Sequence, residues 1–315
     1  MRSKRIYFLV IGLVILAVFA VVFITRPRRL TVGYQVAAAN YPMMYALDGA
    51  LFANEGLKPE ARAFQSATDA QDALLGGAVF LDSVIPIQNI AAVEAERPGS
   101  IGIIALLISD TANPIDFLVV PAKSPIKDPK ELSGKTIVVF PGTYVETVTR
   151  LAFAKLGITD LKFLKLPAAD MPQALQTGRA DAGLVYEPTA TLAEADGWGR
   201  VLERGFWEKH LLPVIVVGAY AYNGPAGAKD PELVRRSYRA IQKAIADGKS
   251  NPTLAKQPLV KYLKLRADLL DRLPSVRVEM SGETDPALIK QTLDLYVEHG
   301  IIPRAVDLSP RLYRP

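Results

Sequence analysis

The feature that most narrows the folds open to this chain is a plan that it uses twice. Residues 73–86 read Ala-Leu-Leu-Gly-Gly-Ala-Val-Phe-Leu-Asp-Ser-Val-Ile-Pro, and residues 174–188 read Ala-Leu-Gln-Thr-Gly-Arg-Ala-Asp-Ala-Gly-Leu-Val-Tyr-Glu-Pro. Each stretch holds the end of an amphipathic helix, a glycine suited to the positive φ of a helix C-cap, and a nearly uncharged run fit for a strand buried on both faces. Upstream of each stands another matched glycine, Gly56 in Asn-Glu-Gly-Leu-Lys-Pro and Gly157 in Lys-Leu-Gly-Ile-Thr-Asp. The interval from Gly56 to Gly77 equals that from Gly157 to Gly178. Strand candidates at 30–34 and 135–140 precede the two helices, so the sequence predicts two βαβ modules on one plan.

In open α/β sheets ligands collect beyond the carboxyl ends of the strands. The polar candidates at such ends are Gln35, Asn40 and Tyr41 after the first strand, Asp82 and Ser83 in the first copy, and Ser109 and Asp110 after the apolar run 101–108. In the second copy they are Tyr186 and Glu187, where Pro188 stops the strand for want of an N–H. Asp82 either faces the site or caps a turn. The turn Pro141-Gly142-Thr143-Tyr144 leads from a strand into a helix, whose free N–H groups and positive dipole end suit an anion. Thr143 equally reads as an N-cap, with Glu146 completing a capping box.

The chain has no cysteine, which excludes structural disulfides, thiolate catalysis and iron–sulfur clusters. Residues 6–24 carry no charge and are flanked by Arg2, Lys4 and Arg5 on one side and Arg26, Arg28 and Arg29 on the other. That length approaches the roughly 20 residues that span a bilayer. Residues 1–29 are therefore expected to be a membrane anchor or signal segment, with the anchor favoured because Ala17 and Ala20 are spaced wrongly for an Ala-x-Ala cleavage site. The net charge of +5 gives no case for nucleic acid: residues 1–30 hold six basic side chains and no acidic one, leaving 31 of the 37 basic residues against all 32 acidic ones.

Further along, periodicity predicts helices over 41–54, 67–75 (capped by Ser66, with Asp69 in its first turn) and 88–96. Strands are expected at 58–64, 79–85, 101–108, 117–120 and 214–220. Asp230-Pro231-Glu232 and Asp285-Pro286 open two long terminal helices as cap and N1 proline, and Gly300 closes the second. Their apolar residues, Val234, Tyr238, Ile241 and Ile245 in one and Leu288, Thr292, Leu295 and Tyr296 in the other, read as core. A chain that builds one module, crosses near 117–121, builds another and crosses back near 214–220 makes two lobes joined by two strands. The lobes comprise residues 30–118 with 220–315, and 119–219.

The segments Val-Gly-Tyr, Tyr-Pro-Met-Met-Tyr-Ala, Gly-Leu-Lys-Pro, Lys-Glu-Leu-Ser-Gly-Lys-Thr-Ile, and Ala-Leu-Gln-Thr-Gly-Arg-Ala-Asp-Ala followed by Tyr-Glu-Pro give the chain a likeness over residues 30–300. It resembles the substrate-binding proteins of bacterial ABC importers, in the group that binds nitrate, taurine, alkanesulfonates and thiamine precursors. The resemblance implies an α/β periplasmic-binding-protein fold of the second topological type, with two βαβ lobes and two crossover strands. It further implies capture of a small polar or anionic organic solute, without a cofactor, by a monomer outside the cytoplasmic membrane. Delivery would be to a permease and its ATPase, with the chain held by residues 6–24 or released by cleavage. The chain departs from the pattern at Phe80, where such proteins often carry aspartate; here the carboxylate comes two residues later, at Asp82.

Only two histidines occur, His210 and His299, neither in metal-ligand spacing nor near a Ser-Asp arrangement. A carboxylate-driven lyase using Asp82, Asp110 or Glu187 is the enzyme alternative, and the anchor argues against it. A tethered sensor would need an output domain, yet only five residues precede Ile6. Carboxylates, the tyrosines at 41, 144 and 186 and the turn at Gly142 suit a planar heterocycle such as a pyrimidine as well as a sulfonate or nitrate-like anion.

Overall fold

The structure, a computed structural model, describes residues 27–315 apart from Gln65 and Gly142, and for Thr143 the backbone alone. The apolar segment 6–24 lies outside these residues. The first half runs β1 (Arg28–Gln35), α1 (Tyr41–Asp48), α2 (Leu51–Asn54), β2 (Leu57–Phe64), α3 (Ala67–Leu75), β3 (Leu81–Pro86), α4 (Ile87–Glu96) and β4 (Ile101–Asp110). The second half follows as β5 (Asp116–Pro121), β6 (Thr136–Val139), α5 (Thr143–Lys155), β7 (Lys162–Lys165), α6 (Met171–Gln176), β8 (Ala182–Tyr186), α7 (Thr189–Ala195), β9 (Gly199–Arg204) and α8 (Phe206–His210). The chain then returns through β10 (Val214–Asn223), α9 (Gly224–Lys229), α10 (Pro231–Ser250), α11 (Pro252–Lys256), α12 (Pro258–Tyr262), β11 (Arg277–Met280) and α13 (Pro286–Glu298).

The strands form two sheets, one six-stranded in the order β11-β4-β10-β3-β1-β2 and one five-stranded in the order β7-β6-β8-β5-β9. In the first, β1 pairs in parallel with β2 and β3; in the second, β6 does the same with β7 and β8. β10 runs antiparallel between β3 and β4, and β5 runs antiparallel between β8 and β9. The strand that arrives from the other half thus takes the same place in each sheet. The repeat is also visible in the backbone: Gly56, Gly77, Gly157 and Gly178 take φ of 68°, 74°, 82° and 74°. These are left-handed values that glycine adopts without a Cβ clash, ending each helix so that the next strand enters the sheet.

Local chemistry sets the helix starts. Asp69 N–H donates to Ser66 Oγ at 3.1 Å, capping α3. Asp230 and Asp285 accept from Leu233 N and Ala287 N at the starts of α10 and α13. The helix expected over 41–54 is broken in two, because Gly49 and Ala50 end α1 and Ala50 takes a φ of 56°. The strand expected from Val79 starts at Leu81. Residues 251–284, for which the pattern predicted no elements, supply α11, α12 and β11.

One face of the first sheet buries Leu30, Val32 and Leu81 against Met43, Phe52, Tyr238 and Ile241 of α1, α2 and α10. The other face joins a cluster that continues from Ile85, Ile90 and Ile103 into Leu118, Val139, Phe153 and Trp207 of the second half. Each fully buried apolar side chain contributes about 1.5 to 3 kcal/mol, so this shared interior ties the halves together where the crossovers run.

Candidate functional site

The carboxyl ends of β1 and β8 meet across the halves, and the end of β6 lies beside that of β8. Ala38 N, in the loop after β1, donates to Glu187 O, just past β8, at 3.2 Å. Arg266 Nη1 reaches Asp196 Oδ1 at 2.9 Å. Tyr144 of α5 and Tyr296 of α13 share a hydroxyl–hydroxyl hydrogen bond of 2.6 Å. Closer to the crossovers lies an aromatic wall. Phe140 stacks on Tyr186 with centroids 4.7 Å apart and planes at 11°, Tyr186 meets Trp207 edge-on at 6.1 Å, and Tyr144 does the same at 6.0 Å. Such pairs add about 0.5 to 1.5 kcal/mol each beyond area burial.

Glu187 caps α7: its two carboxylate oxygens accept from Thr191 N and Thr191 Oγ1, each at 3.0 Å. Burial nevertheless raises its pKa above the ordinary glutamate value. Lys256 lies within its electrostatic reach, buried, with Nζ donating to Leu273 O at 2.6 Å; burial lowers the pKa of that ammonium. Gln35 ends β1 with its Nε2 buried, and Asn40 Nδ2 donates back to Gln35 O at 2.9 Å. Tyr41 packs in the interior with Met44, Leu259 and Leu269, its ring 3.6 Å from where a β-carbon on Gly248 would lie.

Asp82 is the most unusual of the candidates. It is fully buried on β3 opposite Gly33, and neither carboxylate oxygen has a partner among the described residues. Gly33 is required there, because a β-carbon would fall 1.8 Å from Asp82 Oδ2. Burial pushes the Asp82 carboxyl up to about 8. Ser83 is also buried, its hydroxyl without a partner among the described residues, and as its strand neighbour it points to the opposite face.

A raised carboxyl binds its proton more tightly in the folded chain. Its contribution to stability is full below the unfolded value of about 4 and is lost as pH rises through about 8. Asp82→Asn, neutral at every pH, is expected to flatten that slope and to exceed the parent in stability at about pH 9, with a ceiling of about 5 kcal/mol. Urea melts between about pH 5 and pH 9 check this, and parallel slopes in parent and variant would sink it.

Ser109 and Asp110 serve the first crossover. Ser109 Oγ accepts from Ile115 N at 3.1 Å. Asp110 Oδ1 accepts from Ala112 N and Asn113 N, and Oδ2 from Arg277 Nη1, all within 2.9 Å. Burial opposes the charge of Asp110, but the bonds from Arg277, Asn113 and Ala112 outweigh it and hold the carboxyl below its ordinary range. Gly142 lies outside the described residues. Thr143 opens α5 there, and Glu146 of its first turn pairs with Arg150 and Lys165 at 2.8 Å. The sequence did not point to Phe140, Trp207, Tyr296 or Lys256 as site residues. For Phe140 a signal existed, since it immediately precedes the Pro-Gly turn at the end of a parallel strand.

Tyr144→Phe is expected to cost about 1 to 2 kcal/mol, because the buried Tyr296 hydroxyl loses its partner. The same variant should relax the approach of the halves. Thermal unfolding and small-angle scattering read the two effects, and a variant with parental stability would show that the hydroxyl pair contributes nothing.

This architecture, two sheets of like order exchanging one strand and meeting at their strand ends, is that of the periplasmic binding proteins. The chain matches the NMT1-like family over residues 25–251 and belongs to it. It is 25% identical over 315 residues to an aliphatic sulfonates-binding protein of Escherichia coli strain K12, covering 96% of this chain and 94% of that one. Among solved structures it is similar to the alkanesulfonate-binding protein of Xanthomonas axonopodis pv. citri bound to MOPS, with a TM-score of 0.73, 19% identity and coverage of 92% and 99%. It is also similar to the periplasmic nitrate-binding protein of Synechocystis PCC 6803, with a TM-score of 0.69, 14% identity and coverage of 90% and 84%.

Proposed function

We propose that this chain is the extracytoplasmic substrate-binding component of an ABC importer and acts by binding, without catalysis. It captures a small polar or anionic organic solute between its halves and hands it to a permease. The two halves correspond to residues 30–118 with 220–315 and to residues 119–219. The observation that carries the reading is the meeting of the β1 and β8 strand ends across the halves, bridged at Ala38 and Glu187; a ligand there is gripped from both sides, and closure is set by its occupancy. The names of its relatives support a sulfonate or a nitrate-like anion. The Phe140–Tyr186 stack beside the bridge supports a ligand with an organic, planar or apolar portion, including a pyrimidine-like heterocycle. Residues 6–24 tether the chain to the membrane, or are removed, and it works as a monomer.

The test is calorimetry and thermal shift of the full chain in detergent with alkanesulfonates, taurine, nitrate and aminopyrimidines. A true ligand at a hundredfold excess over its dissociation constant stabilises by about 2.7 kcal/mol. Heat and shift with one class, abolished by disrupting Tyr186, support the reading. Silence across all four classes removes the proposed ligand range.

A further inference from the structure

The two crossovers meet at a pair of buried acids that the binding site does not use. Asp116 opens β5 in the first crossover; Glu208 lies in α8 in the second, and both are buried. Gly205 N donates to Asp116 O at 2.9 Å, and Asp116 Oδ2 accepts from Phe206 N at 2.9 Å and Trp207 N at 3.3 Å, so Asp116 caps the first turn of α8. Asp116 Oδ1 and both oxygens of Glu208 are buried and make no well-formed hydrogen bond among the described residues. The Glu208 carboxylate folds back over the start of α8, with Oε2 2.8 Å from where a β-carbon on Gly205 would lie, on the residue whose N–H meets Asp116 O, and the two acids interact electrostatically. Two neighbouring carboxylates out of water strongly oppose joint ionisation.

We propose that the Asp116–Glu208 contact is a proton-dependent lock on the hinge, closed while the pair shares one proton and released when that proton passes to solvent. With the proton in place, one acid donates to the other and ties the start of β5 to α8. Without it, two like charges face each other across the crossovers, and relief comes from separating α8 from β5 and admitting water.

Among the described residues no lysine or arginine is paired with either acid; Arg204 of β9, in register with Phe117, pairs with Glu194 at 3.1 Å. The groups that act on the pair are Ser109 and Asp110 on β4, Tyr144 on α5, Tyr186 on β8 and Tyr296 on α13, while Lys209 and His210 follow on α8 itself. Asp110 is engaged by Arg277 at 2.9 Å. His210 and Lys209 turn to Glu203 at 2.9 Å and 3.1 Å. The tyrosines are held neutral, with pKa values raised chiefly by burial. Burial first, and then the charge of Glu208, lifts Asp116 well above the ordinary range, and burial lifts Glu208 as well. The sign is therefore fixed: the lock holds at low pH and weakens as pH rises.

This goes beyond the transport reading and does not depend on any ligand. Because the chain has no cysteine, spin labels can be placed by Arg62→Cys and Lys162→Cys, at exposed positions on the outer strands of the two sheets. Pulsed electron resonance on the full chain in detergent, without ligand, then reads the distance between halves. The open population is expected to rise at least about threefold between about pH 5 and pH 9 in the parent, and to stay constant in Glu208→Gln, whose amide is a permanent donor to Asp116. Asp116→Asn, which keeps an acceptor for the α8 N–H groups, reads the same effect if Glu208→Gln does not fold. His210→Asn and Asp82→Asn are expected to keep the parental pH response. A parent whose distances do not move with pH, a Glu208→Gln or Asp116→Asn protein that tracks the parent, or loss of the response in either control would overturn the proposal.

Discussion

Gly33→Ala is expected to cost about 3 kcal/mol or more of stability, a large loss for adding one methyl group. The new β-carbon would fall 1.8 Å from Asp82 Oδ2 and 2.9 Å from a ring carbon of Phe64. Asp82 has nowhere to retreat, since its strand is held between β1 and β10 and its side chain is fully buried. The cost therefore falls on the β1–β3 pairing. Removing the obstruction should restore much of it: Asp82→Ala combined with Gly33→Ala is expected to be more stable than the sum of the single losses, with a coupling of about 1 to 3 kcal/mol. Urea unfolding of the four proteins closes this cycle. Strict additivity would place the strain at Phe64 instead.

The second large effect is expected at Trp207. Truncation to alanine should cost about 3 to 5 kcal/mol, the usual range for a buried large aromatic side chain. Trp207 is fully buried, its Nε1 donates to Thr149 Oγ1 at 3.3 Å, and its ring receives Tyr144 and Tyr186 edge-on. It belongs to α8, between β9 and β10, so the cavity would open beneath the aromatic wall and beside the second crossover. Trp207→Phe keeps a ring but loses the indole hydrogen bond and part of the volume, and should fall between parent and alanine. Denaturant melts monitored by circular dichroism measure both. A loss below about 1 kcal/mol for the alanine variant would mean that the neighbouring tyrosines collapse to fill the space.

Some elements were legible in the sequence because their signals are local. α3 covers the expected residues 67–75, since Ser66 caps it and Gly76-Gly77 end it; β8 covers 182–186 between Gly178 and Pro188. The break in the helix expected over 41–54 was not legible, because Ala50 adopts a left-handed conformation that its identity does not announce. Strand order was enough to nominate the strand ends as a candidate site, whereas the contacts made there were not legible. Tyr144 finds Tyr296, Trp207 finds Thr149 and Asp110 finds Arg277 across separations of 152, 58 and 167 residues. Pairings of that range are set by tertiary packing, within a half or between the two, and no periodicity encodes them. Asp110 shows the consequence: a polar residue at a strand end, it is engaged by the crossover loop and by Arg277.

The exchanged strands also bear on the order in which the molecule can be completed. β5 to β9 come from the contiguous stretch 116–204, so the second sheet has all its members once that stretch exists. β4, made earlier, pairs only with β10 and β11 among the named strands. It has no ladder until residues 214–223 are synthesised and slide between it and β3. The half that leaves the ribosome first is thus the last to be finished, and its apolar strand Ile101–Asp110 needs shelter for the time it takes to make more than a hundred further residues.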